Sequence, residues 1–189
     1  MAVKGAVLGD IAGSQFEFHK PAHLDWKHCE MFSLRCTYTD DTVMTLAVKK
    51  ALKSGEDLVS VMQRVGRRYP DAGYGGSFYR WLFSRDPKPY GSWGNGSAMR
   101  VSYVGEYYDD FSELVRQAEA TAAVTHNHPE GIKGAVVTAV CIWMARMGKS
   151  KQEIYDYVLQ EYPPDKYRFT IEQDIAYLEK HYSWDVSCM

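Results

Sequence analysis

Wherever apolar residues recur in this chain, they recur at helical spacing. Between Asp41 and Leu52, Val43, Ala47 and Ala51 form one row and Met44, Val48 and Leu52 the next, with Lys49, Lys50 and Lys53 outside them. Rows four residues apart are the buried face of an amphipathic helix. Asp57 to Tyr69 repeats the pattern through Val61 and Val65, and Phe111, Leu114, Val115, Ala118 and Ala122 trace a third stripe. Pro129 suits a first helical turn, Glu130 follows near the positive end of the dipole, and that helix runs to about Met147 before Gly148 stops it. Ser150 can cap a helix carrying Ile154, Tyr157 and Val158. Thr170 with Gln173 resembles a capping box ahead of Ile171, Ile175, Leu178 and Tyr182. No stretch alternates long enough to be a strand. Pro70–Ser77 and Asp86–Ser97 interrupt the helices, but Tyr74, Phe78, Tyr90 and Trp93 in or beside them predict ordered, packed loops. The pattern predicts one all-α domain over residues 1–189, without internal repeats.

Composition narrows the class. Of the 189 residues, 46% are hydrophobic and 24% charged, the balance of a globular protein rather than a disordered one. The formal charge of −2 argues against a nucleic-acid partner, which needs a basic face. The longest apolar run, Gly134 to Ala145, falls well short of the roughly 20 residues that span a bilayer. No secretion signal is evident, so a cytoplasmic location is expected. Cys29, Cys36, Cys141 and Cys188 form no CxxC pair and read as free thiols in a reducing compartment.

Four polar segments exceed what a helical core requires. In Gly9-Asp10-Ile11-Ala12-Gly13-Ser14-Gln15-Phe16-Glu17, small residues at 5, 9 and 13 would admit a neighbouring helix or ligand. Tight helix packing with a solvated Glu17 explains the same residues. Tyr38-Thr39-Asp40-Asp41-Thr42 supplies only oxygen donors, which suits a hard cation such as Mg²⁺, although hydroxyls and acids there also make a good helix cap. Gly91-Ser92-Trp93-Gly94-Asn95-Gly96-Ser97-Ala98-Met99-Arg100 leaves backbone N–H groups bare ahead of a helix start, an arrangement that binds phosphate. Tyr74-Gly75-Gly76-Ser77 offers a second such nest. Thr125-His126-Asn127-His128-Pro129 has two imidazoles but no third or fourth zinc ligand at useful spacing, since His19, His23 and His28 are distant, so hydrogen bonding at a pocket wall is the better reading.

In this order, GDxxGxxxE, TDDT, GNGSAMR and THxHP resemble the ADP-ribosylglycohydrolase family, which includes the glycohydrolase that reactivates dinitrogenase reductase. The resemblance covers residues 3 to 147 well and the remaining helices in outline. It implies an all-α orthogonal helical bundle with a binuclear Mg²⁺ (or Mn²⁺) centre at the base of a cleft. Thr39, Asp40 and Asp41 match the first group of metal ligands, and Glu17 matches the acid or base near the scissile bond. Gly94, Asn95, Gly96, Ser97 and Met99 match the loop holding ADP-ribose. Gly75, Gly76 and Ser77 resemble a second diphosphate-contacting loop, and His126 matches a residue lining the ribose and phosphate cleft; His128 is less well matched.

The family's second metal motif, of the form GGDTDT, has no counterpart here. Asp174, Glu179 and Asp185 form no Asp-x-Asp pair, and the ending Ser183–Met189 resembles the middle of a longer member. The chain therefore reads as a C-terminally truncated family domain: a shortened product, one completed by another chain, or a ligand-binding relic. Its metal centre is expected to be weak or incomplete. Exposed apolar surface is expected to be covered by a homodimer or a rearranged C-terminal helix. The expected function is a hydrolase removing ADP-ribose from a modified protein side chain, arginine first among the candidates. A catalytically dead ADP-ribose or nucleotide-binding module is the alternative, and a purely structural helical protein leaves the glycine loops unexplained. No membrane partner is expected.

Overall fold

A computed structural model describes residues 1–17, 25 and 27–167; the expected capping box at Thr170 and the helix after it, with Cys188, lie outside the described residues. Among the described residues every regular element is helical and none is an extended strand. The chain divides into two compact units, Met1–Lys88 and Pro89–Met189.

The first unit carries α1 (Ala2–Glu17), α2 (Asp40–Ser54), α3 (Leu58–Gly66) and α4 (Gly76–Phe83). α2 is defined by its ends. The Thr39 hydroxyl accepts from the Asp41 N–H, Asp40 and Asp41 fill the first turn, and Gly55 closes the helix in the left-handed region at φ 69°. The two rows expected on α2 are its buried face, and Met44, Ala47 and Val48 are wholly inaccessible beside Val61 and Met62 of α3 and Leu82 of α4. α4 begins inside a segment that composition marked as loop. Gly75 and Gly76 hide the helix start, but Phe78, Trp81 and Leu82 bury its face and hold it in place.

The second unit carries α5 (Ser102–Tyr107), α6 (Phe111–Ala123), α7 (Pro129–Arg146) and α8 (Lys151–Glu161), with α7 touching each of the other three. Asp110 caps α6 by accepting from the Glu113 N–H, and Ser150 with Glu153 forms a capping box on α8. α5 lies hard against α7: a Cβ at Gly105 would stand 2.7 Å from the Ala139 carbonyl oxygen and from Ile142 Cβ. Arg146 fastens the far end by donating to the Gly105 carbonyl and the Asp109 carboxylate. Cys29, Cys36 and Cys141 are free thiols. Among the described residues no helix is long and apolar enough to cross a membrane.

The α1 glycines behave otherwise than their spacing suggested. A Cβ at Gly5, Gly9 or Gly13 meets nothing within 4 Å among the described residues, so the stripe serves no close helix contact there. Gly105→Ala is therefore expected to destabilise the chain by about 1–3 kcal/mol through overpacking against backbone. Gly5→Ala should be neutral or stabilising by up to about 1 kcal/mol from helix propensity. Calorimetric unfolding of the two variants checks the contrast.

Candidate active site

In the first unit, α1 brings Asp10 and Glu17 to one face, seven residues and two turns apart. Asp10 clamps the turn that opens α2. Its carboxylate accepts from the Thr39 hydroxyl at 2.6 Å, the Thr39 N–H at 2.9 Å and the Thr42 N–H at 3.2 Å. The clamp sets Asp40 and Asp41 among other carboxylates in a partly dehydrated place. Burial, then the charges of Asp41, Glu17 and Asp10, push the Asp40 carboxyl up to about 7. Burial, then Asp10 and Glu17, push Asp41 up to about 6 despite the hydrogen bond from Thr39. Glu17 is raised as well, by burial and by Asp10. Proton affinity rises in this way wherever like charges share a poorly solvated site.

The loop before α4 passes the same cluster. Gly73 takes φ +92°, and a Cβ there would lie 3.9 Å from Asp40 Oδ1. Burial and the Asp40 charge both raise the Tyr74 phenol. Gly75 caps α4 without a side-chain bond and has open space around it. The Ser77 hydroxyl accepts from Arg80. The N-terminal chain is tied down by Gln15, whose amide donates to the Glu30 carbonyl and accepts from the Ser33 hydroxyl.

In the second unit the glycine loop rests on buried polar groups. Ser97 Oγ donates to the Gly131 carbonyl at 2.6 Å, and a Cβ at Gly131 would meet the Ser92 carbonyl oxygen at 2.5 Å. Only glycine lets the loop lie so close to α7. His126 is 4% exposed and sits directly beneath Gly96, where a Cβ would come within 3.0 Å of its Cε1 and Nε2. Arg100, fully buried, donates to the Thr121 carbonyl and the Thr125 hydroxyl, and that hydroxyl lies 2.7 Å from His126 Nδ1. A hydroxyl that accepts from a guanidinium has its own proton left for Nδ1, which assigns the remaining imidazole proton to Nε2, on the side of Gly96. Burial and the Arg100 charge push the His126 imidazolium down to about 3, so the ring is neutral across the physiological range. Asn127 anchors the loop's start by accepting from the Gly91 N–H at 2.7 Å. His128 has a structural role: its Nδ1 accepts from the Glu130 N–H and caps α7.

Comparison with known proteins bears on both halves of this geometry. The family model described as ADP-ribosylglycohydrolase matches residues 1–184. The chain belongs to the ADP-ribosylglycohydrolase family. Its all-helical architecture agrees with the all-α fold of that family. ADP-ribosylhydrolase ARH3 of Mus musculus is 30% identical over 181 residues, covering 79% of this chain and 49% of the mouse protein. The ARH3 proteins of Homo sapiens and Gallus gallus are each 30% identical, over 182 and 187 residues, and 50% and 51% of their lengths are covered. The chain thus spans about half the length of the curated relatives it matches.

The first unit groups Glu17, Thr39, Asp40 and Asp41, with Gly73 beside Asp40; the second groups Gly94–Met99 with His126. Residues missed at the level of motifs are Asp10, Arg100 and Thr125. All three stood inside the quoted segments, and Asp10 sits two turns from Glu17, but nothing in one sequence marks an anchoring role. Among the described residues no three His, Cys, Asp or Glu side chains are grouped as a ready metal site. The donor chemistry at α2 nevertheless fits a hard divalent cation: oxygen atoms only, and carboxylates whose crowding a bound charge would relieve.

The raised carboxyls make stability depend on pH. Folded Asp40 and Asp41 hold protons more tightly than the unfolded chain does, so stability is lost as pH rises from about 4 through about 7. Asp40→Asn, which mimics the protonated form, should raise stability at pH 8 by on the order of 1–2 kcal/mol and change little at pH 4. Urea unfolding of both proteins at the two pH values measures the difference.

Proposed function

We propose that the chain acts as a hydrolase releasing ADP-ribose from an ADP-ribosylated protein side chain, with arginine as the first side chain to test. The observation that carries this reading is the carboxylate cluster gathered by Asp10 around Thr39, Asp40 and Asp41, in a chain of this family. The curated relatives bear the name ADP-ribosylhydrolase, which agrees with the reading.

Each group has a chemical task. The Gly94–Ser97 loop of the second unit, and separately the glycine-flanked start of α4 at Gly75–Ser77 in the first, each suit an anion such as a phosphate, since backbone N–H groups near helix starts favour negative charge. His126 supports the first loop from below, with Nε2–H on the side of Gly96. Glu17, whose proton affinity is raised by burial and by Asp10, is suited to serve as a general acid or base. Glycosidic cleavage builds positive charge on the sugar, which the neighbouring carboxylates stabilise. Thr39, Asp40 and Asp41 would hold Mg²⁺ or Mn²⁺, a binuclear pair if further ligands join them. Such an ion supplies orientation of ribose hydroxyls and polarisation of water. A hydroxyl and two carboxylates leave much of an octahedral shell to water, so affinity for the ion should be weak.

The test is ADP-ribose release from ADP-ribosylated protein with added Mg²⁺. Glu17→Gln is expected to lower kcat by about 10²–10⁴, and Asp40→Ala to abolish metal-dependent turnover. Absence of turnover above the Glu17→Gln background rejects the activity. Metal-independent ADP-ribose binding that survives Asp40→Ala would instead favour a binding module.

Substituting the loop tests its part separately. Gly96→Ala drives a methyl onto the His126 ring, and calorimetry should read at least about tenfold weaker ADP-ribose binding.

A further inference from the structure

Leu46 and Lys50 stand four residues apart on α2 and share one face, and Tyr38 lies two residues ahead of that helix. Val65 sits in the last turn of α3, and Arg68 and Tyr69 follow it. These six side chains border a cavity of about 330 Å³ within the first unit. Its size and its mostly apolar, aromatic walls are those of a small-ligand site.

Two features mark the cavity out. The first is that its apolar walls are left wet. Tyr38, Leu46 and Tyr69 are 44%, 45% and 45% exposed, although Val43 and Ala47, next to Leu46 on α2, are buried. The two phenol rings meet edge to face, with centroids 5.8 Å apart at 84°, so the ring that presents its edge keeps both faces clear of the other. The second is that the charges carry one sign. Lys50 and Arg68 are exposed cations, and neither forms an ion pair among the described residues. Glu56, the acid that feels Lys50, is occupied by Arg64 at 2.6 Å and by the Ser54 hydroxyl. Asp40 and Asp41 lie on the other side of α2, among Asp10 and Glu17, and leave this face positive. Helix dipoles favour cations at the ends of α2 and α3, but they give no reason for three large apolar side chains to stay half exposed between them.

We propose that this cavity binds an organic anion with a flat apolar body. The body lies on Leu46 and Val65 against Tyr38 and Tyr69, and its carboxylate, sulfonate or phosphate meets Lys50 and Arg68. A neutral apolar ligand would leave both cations unmatched, and a second copy of this face would oppose cation to cation. The site is separate from the carboxylate cluster and stands whether or not the chain releases ADP-ribose.

Anilinonaphthalene sulfonate has this chemistry, and phenylnaphthylamine is the same skeleton without the charge. In fluorescence titrations of the full chain, the sulfonate should bind saturably and at least about tenfold more tightly than the neutral amine. Added salt should narrow the gap. Replacing both cations, Lys50→Gln with Arg68→Gln, should erase the preference and leave the affinity for the amine unchanged. Leu46→Asp should weaken both probes by at least about tenfold, whereas Leu8→Asp, at a side chain of α1 that is 55% exposed, should change neither. All four positions are exposed, so these variants should keep the helical circular dichroism of the parent. Equal affinity for the two probes overturns the proposal. So does a preference that survives loss of both cations, or binding that Leu46→Asp leaves unchanged.

Discussion

The first unit is organised by the Asp10 carboxylate on α1, which accepts both the hydroxyl and the N–H of Thr39 and the N–H of Thr42. These are donors from the open end of α2, where backbone N–H groups lack intrahelical partners and the dipole favours a negative charge. One residue thereby supplies a cap from a second helix and fixes the rotation of α2 relative to α1. Everything chemically notable in this unit depends on that rotation. It decides that Asp40 and Asp41, partly dehydrated, feel the charge of Glu17, and that α2 turns Met44, Ala47 and Val48 inward.

Holding like charges together costs stability, and the raised proton affinities of Asp40, Asp41 and Glu17 express that cost. The buried apolar rows of α2 and α3 offset it. A cluster of this kind is poorly explained as a helix cap alone, since Thr39 and one acid would serve that purpose. An arrangement that works against folding yet persists is common at functional sites.

The second unit solves a different problem, the support of a glycine-rich loop with little side-chain packing of its own. Ser97 bonded to the Gly131 carbonyl, and His126 bonded through Thr125 to Arg100, form a polar floor beneath Gly96. Burying a guanidinium is tolerable where carbonyl and hydroxyl oxygens meet it. Burial also keeps His126 neutral, so the floor stays the same across the physiological pH range.

Much of this was legible in the chain itself. The rows of α2, the Ser150 cap and the Pro129 start are local signals, governed by residues within one or two turns, and they settled the helices that carry them. The order of the polar motifs likewise pointed to the family and to Glu17, Thr39, Asp40 and Asp41. α4 escaped because its Gly75-Gly76 start lacks a capping side chain and its stability comes from burying Phe78, Trp81 and Leu82 against distant residues. Asp10, Thr125 and Arg100 escaped for the same reason: their partners lie 21 to 32 positions away in the chain. What the sequence determined by itself was periodicity and capping, which depend on neighbours along the helix. What only tertiary structure decided was which carboxylates crowd together and which imidazole is buried, because dehydration and charge proximity are properties of space rather than of spacing.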